Sequence, residues 1–182
     1  MVLGDSLSAG LGVREDEAYP AVLQERLRAK GYAFDVVNAG VSGDTTAGGL
    51  RRLDWALDGD VRVLIVALGA NDGLRGLPVE DMKRNLAGII ERAGRRGVLV
   101  LLAGMEAPPN YGEEYTRDYR EAFRALAREH NVAFVPFLLQ DVAGVAELNQ
   151  PDGLHPTATG ARKIADNLWP TLERMLTSGR TP

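Results

Sequence analysis

Five short apolar runs alternate with longer stretches in which apolar residues recur every three or four positions. The runs cover residues 1–3, 34–37, 61–68, 98–103 and 133–137. Two of them, VRVLIVAL and VLVLLA, are almost wholly aliphatic, which is how strands covered on both faces read. The periodic stretches, at about residues 19–29, 46–57, 79–95, 115–129 and 159–175, read as amphipathic helices. Pro20 and Pro78 stand where a first helical position is expected, a place where the missing N–H does no harm. Gly31 and Gly97 follow ends that carry Arg or Lys, as helix stops do. Pro170 is expected to kink or break the last helix.

Strands that alternate with helices imply a parallel sheet with right-handed crossovers and helices on both faces. The expected fold is therefore α/β: a three-layer α/β/α sandwich around five parallel strands in the order 2-1-3-4-5. At 182 residues the chain fits one domain, residues 1–182. In such sheets ligands lie beyond the carboxyl ends of the strands, at the switch point beside the first strand. The strand-to-helix loops are where the unusual residues sit. They read Gly4-Asp5-Ser6-Leu7, then NAGVSGDT from Asn38, then Gly69-Ala70-Asn71-Asp72-Gly73, then GMEAPPNYG from Gly104, and finally Asp152-Gly153-Leu154-His155-Pro156.

Composition narrows the function classes. Apolar residues make up 45% and charged residues 25%, the balance of a soluble globular protein. The net charge is −4 and the arginines are scattered, so no basic stripe suggests a nucleic-acid partner. There is no cysteine, which excludes disulfides, a thiol nucleophile and thiolate metal sites. No apolar run approaches the ~18 residues of a membrane span, so no stable insertion is expected. The strand begins abruptly at Met1. We expect that a leader preceded it, and that the mature protein works in the periplasm or outside the cell rather than in the cytoplasm. The oligomeric state is left open, a monomer included.

A serine hydroxyl needs a base to take its proton, and the base needs a partner to hold its tautomer. The chain has two histidines. His130 falls at a predicted helix end, where an imidazole suits the dipole, and it reads as structural. His155 lies on a loop three residues after Asp152. The pair reads either as an ordinary surface turn or as acid and base facing Ser6. An imidazole pKa near ~6.5 suits the second role. Ester attack also needs donors where negative charge develops. Ser6 N–H, Gly43 N–H and the Asn71 side-chain amide could supply them. Taken singly, Gly43 and Asn71 read equally well as turn residues. Asp5 is expected to tie down its own turn by accepting backbone N–H bonds, and Asp44 and Asp72 to brace theirs. Asp72 is a second candidate for the acid beside the histidine. No metal or cofactor is expected, because the histidines are far apart and the carboxylates do not cluster at ligand spacing.

GDSL, GVSGDTT, GANDG and DGLHP occur in that order, each on the loop edge of the expected sheet. Together they resemble the SGNH (GDSL-type) hydrolase superfamily over essentially the whole chain. LGDSLSAG, SGDT, GANDGLRG and PPNYG resemble its bacterial thioesterase I, arylesterase and lysophospholipase group. The resemblance implies the flavodoxin-like SGNH fold, with Ser6 as nucleophile, His155 as base and then acid, and Asp152 orienting it. It implies an oxyanion hole of Ser6 N–H, Gly43 N–H and the Asn71 amide. The implied activity is hydrolysis of short- to medium-chain acyl esters, aryl esters included, and by extension of acyl-CoA or lysophospholipid, through an acyl-enzyme and without a cofactor. A carbohydrate O-acetyl esterase on the same scaffold is the alternative, and a non-catalytic module that kept the loops is a poorer third. Substrate contacts are expected from Leu74, Arg75, Leu77, Met105, Ala107, Pro108 and Tyr111, in a shallow site. Where this group carries a bulkier leucine the chain has Ala107, which suggests a more open acyl groove.

Overall fold

The computed structural model describes residues 1–178. Five parallel strands, β1 (Val2–Gly4), β2 (Asn38–Gly40), β3 (Val63–Ala67), β4 (Leu99–Ala103) and β5 (Ala133–Val135), form one sheet in the order β2-β1-β3-β4-β5. Leu3 pairs with Ala39 on one side and Val66 on the other, so the first strand is an interior one and its carboxyl end lies at the switch point. β3 is buried at every position, VLIVA, because helices cover both faces.

The helices are α1 (Ser6–Ala9), α2 (Tyr19–Ala29), α3 (Thr46–Arg51), α4 (Leu53–Ala56), α5 (Ala70–Leu74), α6 (Val79–Arg95), α7 (Glu113–Glu129) and α8 (Ala158–Ser178). In α6 the buried residues Met82, Leu86, Ile89, Ile90 and Ala93 follow the helical repeat. In α7 Tyr119, Ala122, Phe123, Leu126 and Ala127 do the same. These stripes and the aliphatic strands make one continuous core. Burial of such side chains, about 1.5–3 kcal/mol each, is the main favourable term.

Four details differ from the sequence pattern. The apolar run 34–37 is not the second strand; β2 is the polar, small-residue segment that follows it. The Gln24 side chain takes the backbone groups of that run instead, donating to Phe34 O at 3.0 Å and accepting from Val36 N at 2.6 Å. The helix expected over 46–57 breaks at Arg52, whose side chain turns inward (described below). Pro20 is the second helical residue of α2, and Pro78 precedes α6 as its cap. Finally, α8 runs unbroken through Pro170. Pro170 and Asp166, whose carbonyl loses its partner, are both exposed, so water can serve the freed group.

Candidate active site

Ser6 opens α1 directly after β1. Asp5 caps that turn: its Oδ1 accepts from Leu7 N at 3.0 Å. The N–H groups of a first turn have no intrahelical acceptor, so Ser6 N–H is available at the end of β1.

The base comes from the far end of the chain. His155 Nε2 lies 3.0 Å from Ser6 Oγ, and His155 Nδ1 lies 2.7 Å from Asp152 Oδ2. The other Asp152 oxygen accepts from Leu154 N at 2.9 Å and His155 N at 3.0 Å. The acid is therefore held by the turn it orients. Those two N–H groups and the imidazole depress its pKa to about 2, so it is charged at any working pH. A single antiparallel bridge between Asn149 and Pro156 closes the loop. Gln150 N donates to His155 O at 2.7 Å, and Gln150 Nε2 donates to Leu11 O at 2.7 Å and Pro156 O at 2.9 Å. The histidine loop is thereby tied to the segment just beyond the serine helix. Asp72 points elsewhere, accepting from Thr46 N at 2.9 Å and Thr46 Oγ1 at 2.6 Å. His130 caps the carboxyl end of α7.

Gly43 sits at the third position of the turn Val41 to Asp44, closed by Asp44 N donating to Val41 O at 3.0 Å. Its φ of +80° fits a type II turn, which calls for glycine there. Val41 N donates to Gly4 O at 3.0 Å, which fixes the start of the turn against β1. Asn71, in α5 just after β3, donates through Nδ2 to Asp44 O at 3.0 Å and to Asp5 Oδ2 at 3.3 Å. Ser6, Gly43, Asn71, Asp152 and His155 are thus brought together at the carboxyl edge of the sheet.

Two charged groups brace this edge from below. Arg52 donates from Nε to Asp44 Oδ2 at 2.7 Å, from Nη1 to Ala39 O at 2.7 Å and from Nη2 to Gly4 O at 2.8 Å. It joins the ends of β1 and β2 to the Gly43 turn, and sequence reasoning missed it. Asp5 has no exposed surface. Burial raises its pKa to about 6, against the lowering pull of the Leu7 N–H, its own N–H, His155 and Asn71.

The residues expected to meet substrate are placed unevenly. Leu74 and Tyr111 are each 42% exposed, Arg75 is exposed, and Leu77, Ala107 and Pro108 are half-buried. Met105 is a correction: it packs in the core at 2% exposure and offers no surface to a ligand. The cavity beside Ser6 is only about 10 Å³, lined by Leu7, Leu11, Val13 and Pro156 among others. A cavity of about 710 Å³ opens around Val98, His130 and Asn131, at the opposite edge of the sheet, and contains none of these residues. Size does not mark the site; the convergent polar groups do. No group of three His, Cys, Asp or Glu among the described residues could hold a metal ion, and no helix among them is long and apolar enough to cross a membrane.

The pattern of the GDSL-like lipase/acylhydrolase family matches residues 2–163. The chain is 43% identical over 177 residues to the esterase TesA of Pseudomonas aeruginosa, covering 97% of this chain and 88% of that protein. It is 36% identical over 167 residues to the thioesterase 1/protease 1/lysophospholipase L1 of Escherichia coli K12, covering 91% and 79%. Among solved structures, it is similar to the psychrotrophic esterase EstA from Pseudoalteromonas, inhibited by monoethylphosphonate. The TM-score there is 0.90 at 33% identity, covering 97% of each chain.

Proposed function

This chain belongs to the GDSL-like lipase/acylhydrolase family and is a carboxylic ester hydrolase, and from that premise we propose that it works through an acyl-enzyme on Ser6. The observation that carries the reading is the line of contacts Ser6 Oγ, His155 Nε2, His155 Nδ1, Asp152 Oδ2, at 3.0 and 2.7 Å. Ser6 Oγ attacks the ester carbonyl carbon while its proton passes to His155 Nε2. The imidazolium so formed keeps its Nδ1–H on the charged Asp152. The carbonyl oxygen takes the negative charge, held by Ser6 N–H, Gly43 N–H and the Asn71 amide. Asn71 already spends one proton on Asp44 O; its longer, weaker bond to Asp5 is the one the oxyanion replaces. As the intermediate collapses, the bond from carbon to the leaving oxygen or sulfur breaks and that atom takes the proton from His155. Water then gives a proton to His155 and attacks the acyl-serine; the bond from carbon to Ser6 Oγ breaks, Oγ takes the proton back from His155, and the acid is released.

Short- to medium-chain acyl esters, aryl esters among them, fit this site, with Leu74, Ala107, Pro108 and Tyr111 bordering the acyl group. Leu74, Arg75 and Tyr111 are exposed, which accords with substrates that need no deep pocket. The test is a panel of p-nitrophenyl esters from acetate to palmitate, run with Ser6→Ala and with an organophosphate label. Activity that disappears in Ser6→Ala, with label on Ser6 of the wild type, is the expected result. An inactive wild type, or an active Ser6→Ala, overturns the reading.

A further inference from the structure

Arg75 was expected to touch substrate, yet its hydrogen bond goes to the protein: Nη2 donates to Gly43 O at 2.8 Å. We propose that Arg75 is a positioning residue, which holds the exposed Gly43 turn against α5 so that the Gly43 N–H and the Asn71 amide keep the spacing the oxyanion requires. The inference rests on the serine-hydrolase reading above. Four bonds join the Gly43 loop to α5 and its cap: Thr46 N and Thr46 Oγ1 to Asp72, Asn71 Nδ2 to Asp44 O, and Arg75 to Gly43 O. Of these four, the Arg75 bond is the one that ends on Gly43 itself, the residue whose N–H serves the oxyanion.

A brace works only if its own base is stiff, and three tyrosines make it so. Tyr119 Oη donates to Gly69 O at 2.6 Å, Tyr111 Oη to Leu74 O at 2.9 Å and Tyr115 Oη to Leu77 O at 2.8 Å. Carbonyls before, beside and after Arg75 are thus fastened to α7 and the turn leading into it. The rings pack in series, tilted to one another, with centroids 5.4 Å apart between Tyr111 and Tyr115 and 6.0 Å between Tyr115 and Tyr119. The residue after Arg75 is Gly76, at φ +60°, where a Cβ would lie 2.6 Å from the Tyr111 ring. The backbone around Arg75 is pressed against Tyr111 with no space between. A guanidinium used to bind a substrate charge would not need this support. One that fixes a backbone carbonyl does, because any motion at its base is passed to the turn.

A positioning role and a substrate-binding role separate in kinetics. Loss of the brace lowers kcat for every ester alike, because all share the oxyanion hole; loss of a substrate contact raises KM and depends on the substrate. Arg75→Ala, Arg75→Lys and wild type are compared on p-nitrophenyl acetate, butyrate and octanoate, with Ser6→Ala alongside. We expect Arg75→Ala to lose about tenfold in kcat on all three esters, short of the ~10²–10³ that removal of an oxyanion donor costs. KM should stay within about twofold. Arg75→Lys, which keeps the charge without the planar fork, should recover part of the loss, and added methylguanidinium should partly restore Arg75→Ala. Thermal unfolding should be unchanged. An Arg75→Ala enzyme with wild-type kcat, or a loss confined to KM that grows with acyl length, overturns the inference while leaving Ser6→Ala inactive. An active Ser6→Ala overturns the reading beneath it.

Discussion

Replacing Gly43 by alanine isolates the backbone's share of oxyanion stabilisation. A Cβ built at Gly43 meets no heavy atom closer than Arg75 Nη2 at 3.8 Å, so the substitution causes no clash. What it meets is conformational: φ is +80°, and an L-residue there costs about 1–2 kcal/mol. The variant can escape by flipping the Ser42–Gly43 peptide, which turns a type II turn into type I. The flip aims the residue 43 N–H away from the serine. Losing an oxyanion donor costs about 2.7–4 kcal/mol in the transition state, more than the strain. The variant therefore rests flipped and pays only to return as the oxyanion forms. At 1.36 kcal/mol per tenfold, kcat/KM should fall by about 5–30-fold rather than by ~10²–10³. Gly43→Asn, which tolerates positive φ better, should lose less, and Gly43→Val, with its branched side chain, more. The assay is kcat/KM on p-nitrophenyl butyrate together with the thermal midpoint. Strain left in the resting enzyme would lower Tm by about 2–4 °C per kcal/mol, so a relaxed turn predicts a smaller change. An alanine variant with wild-type activity, or the order of the three variants reversed, refutes the reasoning.

Three further outcomes follow from the same edge of the sheet. Asp152→Asn keeps the turn, since an amide oxygen still accepts from Leu154 N, but loses the charge that holds the imidazole; kcat should fall by about 10²–10⁴-fold, and a loss under about tenfold would remove Asp152 from the mechanism. Asp5, with its folded pKa raised from 3.8 to about 6, destabilises the fold when charged by about 3 kcal/mol. Its contribution is most favourable below the unfolded value and is lost as pH rises through about 6. The Tm advantage of Asp5→Asn over wild type should therefore be largest above about pH 7 and shrink as pH falls toward about 4; a difference independent of pH contradicts the assignment. Arg52→Met strips the ion-pair partner from Asp44, the Arg52 donor from Ala39 O and one of two donors from Gly4 O, at a cost of about 2–4 kcal/mol in urea unfolding; a cost below about 0.5 kcal/mol would show that water replaces those bonds.

The sheet order was legible because two strands are buried on both faces, and that requires the aliphatic runs of β3 and β4. β2 was misplaced for the complementary reason. It lies at the edge and carries only Asn38, Ala39 and Gly40, since α1 presses on it so closely that a Cβ at Gly40 would come within 2.3 Å of Ala9 N. Apolar content marks strands that need covering, and β2 is covered by backbone. The triad candidates were legible because Asp152 and His155 share one turn and Ser6 follows β1, whose end lies at the switch point. Met105 was misread because a residue near a strand end in sequence can still point into the core. Arg52 was invisible because two of its three partners are backbone carbonyls, which no side-chain pattern announces. The tyrosines were within reach: residues 111, 115, 119 and 123 are aromatic at a spacing of four, though nothing in that spacing says which carbonyls they hold.

The pairing of acid and base on one short turn also bears on how the chain becomes active during folding. Because Asp152 and His155 are joined locally, only one distance in the triad has to be achieved by the whole molecule. That distance, from Ser6 to His155, closes a separation of 149 residues. So long a closure is entropically costly and waits on the contacts that offset it. Recovery of esterase activity is therefore a report on the joining of the two ends of the chain, and a partly folded form in which they have not met hydrolyses nothing, however complete its sheet.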